Sequence, residues 1–346
     1  MTLTFNPGLR EAASDALLAS WGSAPRNPHP QVADFGDKPL SMLARICANA
    51  QRQPAGRAPS DSGVVASGMM SSDFSATVAG AAQAFARNRF AAGAAHRAFC
   101  VRREASDFMP IEVTDLSIST ELAKITENGE LTAGRVLMSD GHSEAQLISY
   151  GKTILYSREI VVNERSEMVA TTLAALGASG ARTEAKQVYA LLESNPVMAD
   201  GGNAFDAVYG NIVAEALTAG SLGAATVALR NGVELLRAEG DYADLIAAHL
   251  VVAAGLEVTA YTILNAAGLL DRIAVTATAH LPAGRWYVLP DPAIQPVMAY
   301  LTLRGASDSV RVEQAKAPMN FDGFAVRATA DLGAAMVSRF AVRGGA

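Results

Sequence analysis

Residues 125–163 are ITENGELTAGRVLMSDGHSEAQLISYGKTILYSREIVVN, a stretch that carries two turn signals and a strand pattern. Asn128-Gly129 favours the positive backbone angles of a type I′ turn, so it predicts a long hairpin within 111–162. A second turn at 139–142 precedes a strand over about 143–158, with Ile148, Tyr150, Ile154 and Tyr156 on one face and Lys152 among them. The arm over 116–138 is polar, with Glu121, Lys124, Glu127, Glu130 and Arg135. An isolated two-stranded ribbon is marginal in water, so such an arm must lie on its own domain or on a neighbouring molecule. That points to self-association.

Downstream the period changes. From Asn163, a candidate N-cap, to Asn195, apolar residues recur at steps of three and four, and Pro196 supplies the stop. Gly177 and Gly180 inside this predicted helix each cost about 1 kcal/mol relative to Ala. A long helix that accepts them needs close approach by another backbone, or bends there. After the loop Asp200-Gly201-Gly202-Asn203, the pattern predicts a helix to about 237, a strand over 247–254 and a helix over 256–267. Further strands are predicted at 273–278, 286–289, 298–303, 310–315, 324–330 and 335–342. Helices and strands mix without regular βαβ alternation, which indicates an α+β fold. Upstream, Pro25, Pro28, Pro30, Pro39, Pro54 and Pro59 break residues 6–72, predicting an arm or linker with short helices such as 40–50. Helical composition over 74–103 interleaves Arg87, Arg89, Arg97, Arg102 and Arg103, which reads as a solvated face.

Composition bounds the function. The 346 residues allow about two folded units. Half are hydrophobic but only 6% are aromatic, and about a fifth are alanine, so small side chains carry much of the burial. A net charge of -6 argues against avid nucleic-acid binding, which neutralises phosphates with clustered Lys and Arg. Cys47 and Cys100 form no CxxC, which excludes a disulfide scaffold and fits a reducing cytoplasm. The N-terminus lacks a signal-peptide pattern, and the apolar stretch at 245–256 is too short for a bilayer.

Catalytic signatures return near misses. Gly177-Ala178-Ser179-Gly180-Ala181 lacks the closing glycine of a GxSxG elbow and sits within a helix. Gly220-Ser221-Leu222-Gly223 lacks a full GxGxxG, and the 200–203 loop lacks the acidic spacing of a calcium site. His29, His96, His142, His249 and His280 show no metal spacing, and His249 reads as a hydrogen-bonded core residue. The expectation is no enzyme, no catalytic, cofactor or metal residue and no cofactor.

The order of pieces resembles the phage Mu-like major head subunit, in a family that includes prohead-protease-fused major capsid proteins of the Hong Kong 97-like coat fold. The resemblance is carried by Ser72-Asp73-Phe74, Asp107-Phe108-Met109-Pro110, Ile148 to Ile154, Arg158 to Asn163, Tyr189 to Leu192, Asn195-Pro196, Asp200-Gly201, Leu250 to Val252, Trp286 to Leu289, Asp322-Gly323-Phe324 and Asp331 to Ala335. It covers about four fifths of the chain in order.

It implies an N-terminal arm or linker (1–72), a helical segment (73–110), and an extended β-hairpin loop with its following strand (111–162). A peripheral domain (163–199 and 301–346) would contain a long spine helix, and an axial domain would occupy 200–300. Lys124, Asn128, Gly129 and Arg135 would belong to the inter-subunit loop. Lys124, Asn320 and Asp322, nominated by analogy with crosslinking coats, read better as ordinary surface residues.

The implied function is a major capsid protein of a tailed double-stranded DNA phage or prophage. It would self-assemble as hexamers and pentamers into an icosahedral shell in the host cytoplasm and reside in the virion. Implied partners are copies of itself, scaffold, prohead protease and portal, with packaged DNA bound without sequence specificity and no membrane. The alternatives are an encapsulin-like nanocompartment shell and an α+β hydrolase using Ser179.

Overall fold

The computed structural model describes residues 7–23, 27–36, 39–51, 64, 72–111, 115–119, 136–139, 145–163, 165–198, 201–232, 242–306, 309–315, 318 and 320–345. Its helices are α1 (Pro7–Ser20), α2 (Pro39–Gln51), α3 (Ser72–Gly93), α4 (Arg158–Val162), α5 (Ser166–Ser194), α6 (Ala219–Asn231) and α7 (Glu257–Ala266). The strands are β1 (Cys100–Ala105), β2 (Asp115–Ser119), β3 (Val136–Ser139), β4 (Ile148–Ser157), β5 (Ile212–Val213) and β6 (Ala247–Ala253). They continue as β7 (Ala274–Thr278), β8 (Trp286–Pro290), β9 (Met298–Leu303), β10 (Val310–Ala315), β11 (Gly323–Met336) and β12 (Val342–Gly344). This is the expected α+β mixture. Contacts divide the chain into two units, one of residues 1–93, 149–182 and 307–331, the other of 94–148, 183–306 and 332–346.

In the first unit, β11 pairs antiparallel with β10, and β4 also pairs with β11. Helix α3 packs on β10, and the Gln83 side chain completes that strand's edge: its amide donates to the Val310 carbonyl at 2.9 Å while its oxygen accepts from the Val312 N–H. An edge strand's unpaired backbone groups are thus satisfied from a helix. Glycines let α5 approach closely. A Cβ at Gly177 would strike the Ala86 carbonyl, and one at Gly180 would lie 2.7 Å from Val310 Cγ2, so the expected backbone approach is present.

The stretch expected as an arm departs from that reading. Helices α1 and α2 pack on α3 and bury Leu9, Leu17, Trp21, Leu40 and Leu43. The reason is where the prolines fall. Pro7 and Pro39 open α1 and α2, and Pro30 opens a 3-10 turn, positions that need no N–H and suit proline's fixed φ. Arg158–Val162, with its β-branched run, extends the expected strand but forms α4. Asn163 accordingly closes α4 rather than opening α5.

In the second unit, a sheet of order β5-β12-β8-β6-β7 buries Leu250, Val251, Val252, Trp286, Tyr287 and Val288. The last residues of β11 pair with β9, which pairs in parallel with β1. The strand expected at 335–342 is divided, since β11 runs on to Met336 and β12 begins at Val342. Pairing of β12 with β8 places the tail with residues 200–300, unlike the peripheral assignment implied by resemblance. Gly344 allows this, because a Cβ there would enter the Trp286 ring. The helix expected after the 200–203 loop starts only at Ala219, where Thr218 and Ser221 form a capping box, and its expected end near 237 lies outside the described residues. Strands β2 and β3 pair antiparallel, and the turn expected at Asn128-Gly129 lies outside the described residues.

Candidate assembly surfaces and buried polar clusters

Two elements leave large apolar side chains in water. Strand β4 exposes Ile148, Tyr150 and Leu155 over most of its length, and of these outward residues Tyr150 and Leu155 lie in the first unit. In the second unit, α7 buries Ala260 and Leu264 but leaves Val258 79% and Tyr261 46% exposed, with Leu270 also exposed just beyond the helix. Single exposed apolar residues are ordinary; several on one short element suggest a surface that is covered in use.

The second unit also encloses charge. Glu184 and His96 are each only 1% exposed. Arg97 donates to both Glu184 oxygens, at 2.9 and 2.6 Å, and its guanidinium lies 4.2 Å from the Tyr300 ring centroid. His96 Nε2 stands 3.2 Å from Glu184 Oε1, but off the alignment of a good hydrogen bond. Burial pushes Glu184 up, yet His96 and Arg97 outweigh it and hold the carboxyl below its usual range. Burial, reinforced by that carboxylate, pushes the Cys100 thiol well up, which makes it unreactive.

A second cluster surrounds Glu193. Tyr287 donates to it at 2.7 Å and Arg285 at 3.2 Å, while Arg285 also donates to the Gly345 carbonyl. Burial and the adjacent carboxylate raise the Tyr287 phenol far above its ordinary range. In a third, buried Arg339 donates to the Gly202 and Asn203 carbonyls and lies over Tyr209. The 200–203 loop therefore serves as a backbone receptor for a guanidinium. These clusters are structural ties between elements distant in sequence.

Lys124, Asn128, Gly129 and Arg135 lie outside the described residues. Arg87 and Arg89 are exposed on α3, with Arg89 over Phe85. Ser179 is on the exposed side of α5. Asn320 is exposed, and Asp322 pairs with Arg158 at 3.2 Å. His249 corrects its expectation: its Nδ1 is buried without a hydrogen-bond partner, and burial lowers its pKa. Among the described residues no group of His, Cys, Asp or Glu could hold a metal ion, and no helix is long and apolar enough to cross a membrane.

Mixed helices and sheets with apolar side chains set outward describe a protein built to associate. The sequence pattern of the phage capsid protein family matches residues 143–343, more than half of the chain, so the chain belongs to that family and is a phage capsid protein. No curated protein matches it. Similar solved structures include a phage-related protein of Bordetella bronchiseptica, 11% identical, covering 76% of this chain and 95% of that one with a TM-score of 0.47. The capsid of Cyanophage P-SCSP1u is 10% identical over 72% of this chain and 87% of that one, with a TM-score of 0.44. A virus-like particle from Pyrococcus furiosus is 11% identical over 76% and 96%, with a TM-score of 0.43.

Proposed function

We propose that this chain is the major head subunit of a tailed double-stranded DNA phage or prophage, with the Hong Kong 97-like coat fold. It assembles as hexamers and pentamers into an icosahedral shell around the genome, and it acts without catalysing a reaction. The family match over residues 143–343 carries this reading. The exposed apolar residues of α7 and β4 supply contact surface of the right kind. Each contact can be weak, because closure of a shell multiplies modest interfaces into large avidity. Weak contacts also let misplaced subunits leave. Scaffold, prohead protease and portal are the partners such a subunit meets during assembly, and a net charge of -6 suits a wall that encloses DNA without gripping it.

The test is a double variant, Val258→Asp with Tyr261→Asp, compared with the unaltered chain in shell assembly. Both side chains are exposed, so the variant should fold normally while losing closed shells. Unimpaired closure would remove α7 from the contact surface. Shells isolated from infected or induced cells should protect double-stranded DNA from nuclease; a protected enzyme cargo instead would favour a nanocompartment.

A further inference from the structure

Three of the chain's five histidines converge in the second unit on one aromatic pair, Phe99 and Tyr189, whose centroids are 6.0 Å apart. His96 meets Tyr189 edge-on at 6.5 Å, His280 stacks on Tyr189 at 5.9 Å, and His249 lies 6.4 Å from Phe99. They come from separate elements: the 3-10 turn Ala95–Phe99, strand β6 and the turn beyond β7, with Tyr189 from α5. We propose that this cluster is an acid-sensitive seam with His249 as its trigger: uncharged, the ring packs against Phe99, and taking up a proton in acid loosens the turn and α5 from β6.

The surroundings determine the sign. A charged imidazole needs acceptors at both nitrogens, and the buried His249 Nδ1 has no hydrogen-bond partner. The groups facing the cluster are Glu184, Arg97, the Cys100 thiol and the Tyr189 phenol around His96, and Asp291 near His249. Glu184 is already taken by Arg97 through both oxygens, so it offers a new positive charge little. Asp291 attracts the proton, but burial outweighs it and lowers the His249 pKa. The folded form therefore binds fewer protons than the unfolded one. The stability His249 contributes is complete above about pH 6.5 and is lost as pH falls below it.

The two tryptophans, Trp21 and Trp286, lie one in each unit, so Trp21→Phe leaves Trp286 fluorescence as a reporter of the second unit in the full chain. In this background the melting temperature should drop by about 3 °C or more between pH 7.5 and 5.5, and His249→Gln should remove at least half of that drop. Ring-proton NMR of the unaltered chain gives a second readout that survives if His249→Gln fails to fold, and His249 should titrate below 6.5 there. An equal drop in parent and His249→Gln, or titration of His249 at or above 6.5, would overturn the proposal.

Discussion

The two units solve burial differently. The first brings backbones together over small residues, with Ala82, Ala86, Gly177 and Ala181 inside, and keeps ion pairs such as Arg10–Asp73 and Arg327–Glu313 about half exposed. Its enclosed exception is Asp331, which accepts from Ser149 Oγ at 2.6 Å and pairs with Arg311. Large aromatics are buried in both, Phe74 and Phe85 in the first and Trp286, Tyr287 and Phe205 in the second, but the second unit also threads Glu184, His96 and Arg339 through its interior. One unit should therefore be sensitive to added volume, the other to altered charge.

Glu184→Gln should have the largest effect. It leaves Arg97 and His96 without their carboxylate, and breaking a buried pair costs about 3 to 5 kcal/mol. Urea unfolding read by Trp286 should register it. Because the Glu184 carboxyl is held below its usual range, the stability it adds is present above the unfolded carboxyl's pKa of about 4.5 and is lost as pH falls through the folded value. The gap between parent and variant should therefore narrow from pH 6 to pH 3.

Gly177→Val comes next, at about 1 to 3 kcal/mol, since the new side chain must displace the Ala86 carbonyl. Trp21 fluorescence in a Trp286→Phe background should report it. A neutral result would mean that the glycines do not set the approach of α5 to α3. At the small end, Arg327→Ala should move stability by less than about 1 kcal/mol, because its pair with Glu313 is solvent-exposed. A loss as large as that of Glu184→Gln would erase the contrast between surface and interior charge.

What the sequence disclosed follows from the range of its signals. The costly glycines at 177 and 180 announced a close approach because their penalty is local, and α5 ends at Ser194 just before Pro196, as the stop signal required. Proline density misled for residues 6–72, since proline breaks a helix in its interior but opens one at its first residue, where Pro7 and Pro39 sit. The β-branched Ile160, Val161 and Val162 read as strand, yet tertiary packing of Val161 sets them in a short helix. The His96–Glu184 tie joins residues far apart in sequence and leaves no periodic trace. The same holds for Arg339 on the 202–203 carbonyls. The exposure of Val258 and Tyr261 depends on which face of α7 meets the sheet, which the sequence does not specify, because Val258, Ala260, Tyr261, Ile263 and Leu264 are spread around the helix rather than gathered in one stripe.

The central claim is that this chain builds a shell from copies of itself. Sedimentation velocity with negative-stain microscopy tests it most directly, on the full chain expressed alone and then with the scaffold and protease of its own head genes. Closed particles of uniform size, built from rings of five and six subunits, are the predicted result. A chain that stays monomeric at high concentration with both partners supplied would contradict it.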